Sequence, residues 1–296
     1  MSQIFFPESE YPSIYEAADK ASVKAQTYYL RLIKLNLILM ISGVVVTTIN
    51  FQDIPYRQNV NIAAAFLLGT AIILSLILKT CRFEKTWYGG RAVAESVKSL
   101  SWKYMTTSKP FSSATIPKKA DDKFLELIKE IATEKKDLAF DFEINTKPMI
   151  SQKMKDVRHS TVQEKLQLYL SDRVQAQRNW YKNKAIFNKK EGDRYSWIAI
   201  LMQFLGFLAS LYLIKEPTQI NLTGVLSSAT TAIFSWMQIK KFQELAQAYA
   251  ITANELGMAE SQSTAIQNDK ELSDFINDTE NAISREHTMW IARRGH

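Results

Sequence analysis

The chain has 296 residues, of which 46% are hydrophobic and 23% charged, with a formal net charge of +7. That average would suit a soluble protein, but windows of about 19 residues find four stretches without charge and a surplus of Lys and Arg at their edges. The basic surplus answers to anionic lipid headgroups, so no nucleic-acid partner is expected; the single cysteine, Cys81, excludes an internal disulfide and a cysteine-rich metal site.

Met1 to Glu16 is acidic and aromatic and lacks the basic-then-apolar order of a signal peptide. Ala18, Ser22, Ala25, Tyr29 and Leu32 then step by four and three, the spacing of a helix seam that meets another helix. The first charge-free stretch, about 35–52, follows, with its apolar core only from Leu35 to Ile49; the second covers about 58–78. Each approaches the roughly 20 residues a helix needs to cross about 30 Å of hydrocarbon. Beyond them Phe83, Trp87, Gly90, Ala94, Val97, Ser101 and Tyr104 form a second seam.

Thr106 to Lys119, with Pro110 and Pro117, reads as a linker; a short helix is expected from Ala120 to Lys136, with Phe124, Leu127, Ile128 and Ile131 on one face. Phe140 to Ile144 alternates apolar and acidic residues in the manner of a brief strand. A long helix from about Val162 leads into the third stretch, about 195–214, and the fourth covers about 217–239. Tyr195, Trp197, Tyr212 and Trp236 stand near the ends of these stretches, where amphipathic rings favour an interface. Phe242, Leu245, Tyr249, Thr252, Leu256 and Ala259 make a third seam, and a final helix is expected over Lys270 to Arg285.

The expected fold is an all-α membrane protein: two transmembrane helical hairpins, four spans in all, with long cytoplasmic helices forming a bundle. Three regions follow: 1–113 and 161–296 as two-span units, joined by a cytoplasmic linker over 114–160. The two units look like diverged repeats. Ala25-Gln26-Thr27-Tyr28-Tyr29 echoes Ala176-Gln177-Arg178-Asn179-Trp180-Tyr181, and Tyr88 with Ala92 echoes Tyr249 with Ala253. Lys20, Lys24, Arg31 and Lys34, then Lys79, Arg82 and Lys85, and Lys189, Lys190, Arg194, Lys240 and Lys241 flank the outer span ends. The short loops hold only Arg57 and Lys215. This asymmetry places both termini in the cytoplasm of a multi-pass protein of the inner (plasma) membrane.

The sequence gives little support to catalysis and none to a cofactor. His159, His287 and His296 are scattered, there is no phosphate-cradling glycine loop, and Asp141 with Glu143 reads first as a solvated edge. An enzyme would need those carboxylates to converge with His159 or His287. The clearer pattern is polar: Thr223, Ser227, Thr231, Ser235 and Gln238 recur along one face of the fourth span, and Gln203, Gly206 and Ser210 make a shorter line in the third. Helix packing through small and hydroxylic residues explains such lines, and from the stripe alone it is the favoured reading. A water-lined path, formed when several subunits bring their fourth spans together, explains them too. No Asp, Glu, Lys, Arg or His lies inside a span, which leaves no charge relay for a proton-coupled transporter.

Specific residues carry a resemblance. Tyr11-Pro12, Ala17-Ala18-Asp19, Ser22, Ala25-Gln26 and Tyr29-Leu30-Arg31-Leu32, with Trp87-Tyr88, Arg91-Ala92, Ala94-Glu95, Lys98, Trp102 and Pro110-Phe111, resemble one subgroup of the SLATT families (SMODS and SLOG-associating two-transmembrane effectors). Tyr169-Leu170, Asp172-Arg173-Val174, Gln177, Trp180-Tyr181, Lys184-Ala185, Ser284-Arg285-Glu286-His287, Trp290 and Ala292-Arg293-Arg294 resemble another. The resemblance implies two different SLATT units in tandem, in a membrane effector of prokaryotic antiviral conflict that forms or opens a pore when a separate sensor or nucleotide-signal protein detects infection. It implies no catalytic residues. The motif residues Trp87, Tyr88, Arg91, Glu95, Trp102, Arg173, Gln177, Trp180, Tyr181, Arg285, Glu286 and Trp290 are expected to pack between the halves or between subunits of a homo-oligomer. The rival expectation is a membrane-anchored scaffold for a cytoplasmic signalling complex, without conductance.

Overall fold

A computed structural model describes residues 6–48, 54–112, 115–134, 148–215 and 222–292. Every regular element among them is helical: α1 (Ser13–Thr48), α2 (Ile54–Cys81), α3 (Phe83–Met105), α4 (Pro117–Glu134), α5 (Gln152–His159), α6 (Val162–Tyr169), α7 (Ala176–Lys215), α8 (Leu222–Lys240), α9 (Phe242–Gln262) and α10 (Asp269–Ala292). The expected strand at Phe140 to Ile144 lies outside the described residues. The helix read as continuous from Val162 is interrupted by a π turn, Leu170–Gln175.

The chain forms two compact units. One comprises Met1–Gln26, Glu84–Ala185 and Gln247–His296; the other comprises Thr27–Phe83 and Ile186–Ala246, so α1, α7 and α9 each contribute to both, and α3 gives its first residue to the second.

The first unit is built on the seams. Ala18, Ser22 and Ala25 of α1, Trp87, Gly90, Ala94, Val97, Ser101 and Tyr104 of α3, and Tyr249, Thr252 and Leu256 of α9 are buried. At Gly90 the backbones of α1 and α3 nearly touch. An added Cβ would lie 2.9 Å from the Ala18 carbonyl oxygen and 3.1 Å from Ser22 Cβ. The Ser22 hydroxyl donates to the Trp87 carbonyl at 2.8 Å in the same place. The segment read as a linker begins as a buried corner: Thr106, Ser108 and Phe111 are buried, and Arg158 of α5 donates to the Tyr104 and Phe111 carbonyls at 2.7 and 3.3 Å. Phe124 of α4 closes this corner against Tyr104 at 5.0 Å between ring centroids. α6 starts with a capping box, Thr161 and Glu164 each satisfying the other's backbone N–H.

The second unit is apolar on its outside. Phe66 is 76% exposed, Trp197 71% and Ile62 60%, an arrangement that water would penalise and hydrocarbon would not. α1, the α2–α3 stretch from Tyr56 and the stretch from Val162 to Ile214 are long and apolar enough to cross a membrane. α8 is not among these three. Its 19 residues reach about 28 Å at 1.5 Å per residue, but Thr, Ser and Gln dilute its apolar character. Asn36 of α1 donates to the Ser75 hydroxyl of α2 at 3.1 Å, a polar tie inside the first hairpin.

A shared device ends α2 and α8. A single basic residue in the left-handed region, Arg82 (φ 45) or Lys241 (φ 50), breaks the helix, and a Phe starts the next one. Phe83 packs on Tyr28 at 6.0 Å, and Phe242 stacks on Tyr195 at 5.6 Å. A non-glycine residue there costs roughly 1 to 2 kcal/mol, so its recurrence with the same packed ring supports a repeated design. In this register Tyr88 falls opposite Gln247, two residues from the Tyr249 that the sequence echo suggests.

Replacing Gly90 with Ala forces α1 from α3, and overpacking of this kind costs about 1 to 3 kcal/mol. Thermal unfolding followed by circular dichroism should show a clearly lowered midpoint; an unchanged midpoint would mean that the two backbones do not approach as described.

Candidate functional site

In the second unit the polar lines of α7 and α8 face one groove of ≈ 420 Å³. Gln203, Gly206 and Ser210 line one wall and Thr223, Ser227 and Thr231 the other, with Met202, Phe207, Thr230 and Phe234 between them. Ser235 and Gln238, which continue the line in sequence, lie outside it. α7 and α8 approach at Gly206, where an added Cβ would meet Leu226 Cβ at 3.6 Å, ordinary contact, so the approach does not depend on the glycine.

Three of the groove's hydroxyls are satisfied within their own helices. Thr231 donates to the Ser227 carbonyl at 3.0 Å, Thr230 to Leu226 at 2.9 Å and Ser210 to Phe207 at 2.7 Å. Each thereby spends its proton and keeps acceptor lone pairs. Thr223 Oγ1 is buried with no hydrogen-bond partner among the described residues. The groove therefore offers acceptor oxygens and the Gln203 amide without a formal charge. That chemistry accommodates water or a partly hydrated ion, or the hydroxylic face of another helix.

In the first unit a second cavity, of ≈ 490 Å³, gathers six of the motif residues: Trp87, Arg91, Glu95, Arg173, Gln177 and Trp180. The π turn sets its floor. Asp172 accepts from the Phe6 N–H at 2.7 Å, while its neighbour Arg173 forms a two-pronged pair with Glu280 of α10 at 2.9 and 2.8 Å. The Tyr169 hydroxyl also donates to Glu280 at 2.9 Å, and Arg173 Nη1 lies 3.8 Å from Glu95. Desolvation opposes the charge on Arg173, but Glu280 and then Glu95 hold its pKa well above the ordinary value; burial and then Glu280 push Tyr169 up. The Arg91 guanidinium sits 5.4 Å from the centre of the Trp180 ring.

Trp102 is fully buried against Tyr169 at 5.5 Å, Tyr181 is buried against Tyr249 at 5.6 Å, and Tyr88 packs on Trp87 at 4.7 Å. The side chains of Arg285, Glu286, His287 and Trp290 lie outside the described residues, as do Asp141 and Glu143; the His159 ring contacts the Lys155 carbonyl at 2.7 Å on the surface. Sequence reasoning missed Glu280. The signal was available, since a carboxylate stands in register with Leu272, Ile276 and Ile283 on the buried stripe of α10.

Replacing Glu280 with Gln leaves the Arg173 charge buried beside a neutral partner, and breaking such a pair costs about 3 to 5 kcal/mol. Chemical denaturation should show this loss, and the double replacement Arg173→Met with Glu280→Leu should recover much of it. A Glu280→Gln protein as stable as the parent would contradict the account of this pair.

The family model described as SMODS and SLOG-associating 2TM effector domain 3 matches residues 12–166, and that of SMODS and SLOG-associating 2TM effector domain 1 matches residues 169–290. No curated protein and no solved structure matches the chain. The first match covers more than half of the sequence, the two meet near the end of α6, and their two-transmembrane description agrees with the apolar exterior of the second unit. The chain is a membrane protein and belongs to the SMODS and SLOG-associating two-transmembrane effector family, carrying two different domains of that family in tandem.

Proposed function

We propose that the protein is a non-enzymatic pore-forming or membrane-disrupting effector of a prokaryotic antiviral conflict system, released by a separate sensor or nucleotide signal. The observation that carries this reading is the groove of the second hairpin, where polar lines from α7 and α8 meet within an otherwise apolar unit. In a bilayer such a face is costly unless it meets water or other polar groups. A homo-oligomer that turns several grooves toward a common axis supplies both.

In this proposal α8 is the fourth span, both termini lie in the cytoplasm of the inner membrane, and 1–113 and 161–296 act as two-span units joined by 114–160. The effector role is supported by the family description; conductance rests on the groove.

Strong overexpression bypasses the sensor. Cells making the wild-type chain should lose membrane potential, read with a potential-sensitive dye, and admit propidium. The double variant Ser227→Leu and Thr231→Leu should insert to the same level and lose at least tenfold of that permeability, because it fills the groove with apolar volume. Intact potential with fully inserted wild type, or undiminished leakage in the double variant, would favour instead a scaffold whose hairpins only anchor a signalling complex.

A further inference from the structure

The outer face of α7 changes character along one column of residues spaced by four and three: Lys190, Arg194, Trp197, Leu201, Phe204 and Leu208. Those steps keep all six on one side of the helix, and all six are exposed. The groove residues Gln203, Gly206 and Ser210 lie about half a turn away, on the opposite side. Trp197 to Leu208 reaches about 16 Å at 1.5 Å per residue, half of a hydrocarbon layer of about 30 Å, so the apolar part of the column matches one leaflet. Arg194 stands one turn and Lys190 two turns beyond Trp197, on the side where headgroups begin.

The bases at this end of the hairpin are not equivalent. Lys240 lies over the rings of Trp236 and Phe242, both at 5.8 Å, and Lys241 stands 3.8 Å from Glu244. On the column, Arg194 is 65% exposed and brings one of its three nitrogens, Nη1, to 3.6 Å from Glu191, a surface contact worth little. Lys190 is exposed and makes no ion pair or hydrogen bond among the described residues. Over 182–194 five bases face two acids, Glu191 and Asp193, so the stretch stays positive.

We propose that this column binds one anionic phospholipid. Arg194 and Lys190 donate to its phosphate, the Trp197 ring lies at the level of its glycerol and esters, and an acyl chain runs along Leu201, Phe204 and Leu208. The planar guanidinium fork suits phosphate oxygens, the ammonium adds a second point charge, and an indole favours the interface between them and the hydrocarbon. A soluble anion would use the two bases alone; the apolar remainder of the column commits the occupant to a lipid. Because the groove lies on the opposite side of α7, binding here is independent of whether the groove conducts.

Native mass spectrometry of the full chain in detergent, titrated with phosphatidylglycerol and with phosphatidylcholine of the same acyl chains, tests the site. Phosphatidylglycerol should bind at least about tenfold more tightly, as expected when two bases each strengthen attachment to an anionic headgroup. Lys190→Gln with Arg194→Gln should remove that preference. Lys182→Gln with Lys189→Gln takes the same charge from another side of α7 and should keep it. All four residues are exposed, so both proteins should keep their helical circular dichroism. Glycerol phosphate at the lipid's own concentration should displace none of it. Equal binding of the two lipids by folded wild type, an undiminished preference without Lys190 and Arg194, an equal loss in the control pair, or displacement by glycerol phosphate would each overturn the assignment.

Discussion

Taking a polar group out of water costs several kcal/mol unless another group replaces the water it leaves, and that cost arranges both compact units. In the second unit the backbone satisfies itself as helix, the only open-chain form hydrocarbon tolerates. The hydroxyls of Ser210, Thr230, Thr231 and Ser235 repeat the solution on a smaller scale by donating to carbonyls three or four residues back in their own helices. In the first unit no helix can absorb a guanidinium, so Arg173 is matched by a carboxylate from another element, and Tyr169 completes the acceptor's shell.

The two solutions differ in what they leave over. A hydroxyl bonded to its own helix still presents acceptors, so α7 and α8 can pack closely at Gly206 and yet keep a polar groove between them. Arg173, with Glu280 taking its Nε and Nη2, keeps Nη1 buried without a hydrogen bond, 3.8 Å from Glu95. Arg82 and Lys241 add a constraint of their own. Each accepts an unfavourable backbone conformation at the end of an apolar helix, and each is followed by a Phe that packs on a Tyr of its own hairpin.

What was legible in the sequence was whatever repeats with the helical period. Three of the four charge-free windows lie in helices able to cross a membrane, and steps of three and four name seam residues such as Ala94, Val97 and Leu256 that are buried. The lines Thr223, Ser227 and Thr231 and Gln203, Gly206 and Ser210 were each legible for the same reason, but not that they line one groove together. Features set by tertiary contact were not. Asn36 and Ser75 are 39 positions apart and pair only when α1 and α2 lie together. Ser235 and Gln238 continue the line in sequence yet lie outside the groove, a limit that periodicity does not encode. The π turn inserts a register change that a helical template reads through, and with it the union of Asp19, Arg91, Glu95 and Arg173 around one cavity stays hidden.

In the proposed pore the groove of the second hairpin holds water in the assembled membrane protein while the outer face of the first meets lipid. Thiol accessibility tests it directly. With the exposed Cys81 replaced by Ser, single cysteines at Ser227 and at Phe66 are challenged in sealed vesicles with a charged, membrane-impermeant methanethiosulfonate applied to both sides. A water-filled groove gives rapid modification at position 227 and negligible modification at position 66. Comparable rates at the two positions, or protection at 227 in a protein that is assembled and inserted, would contradict it.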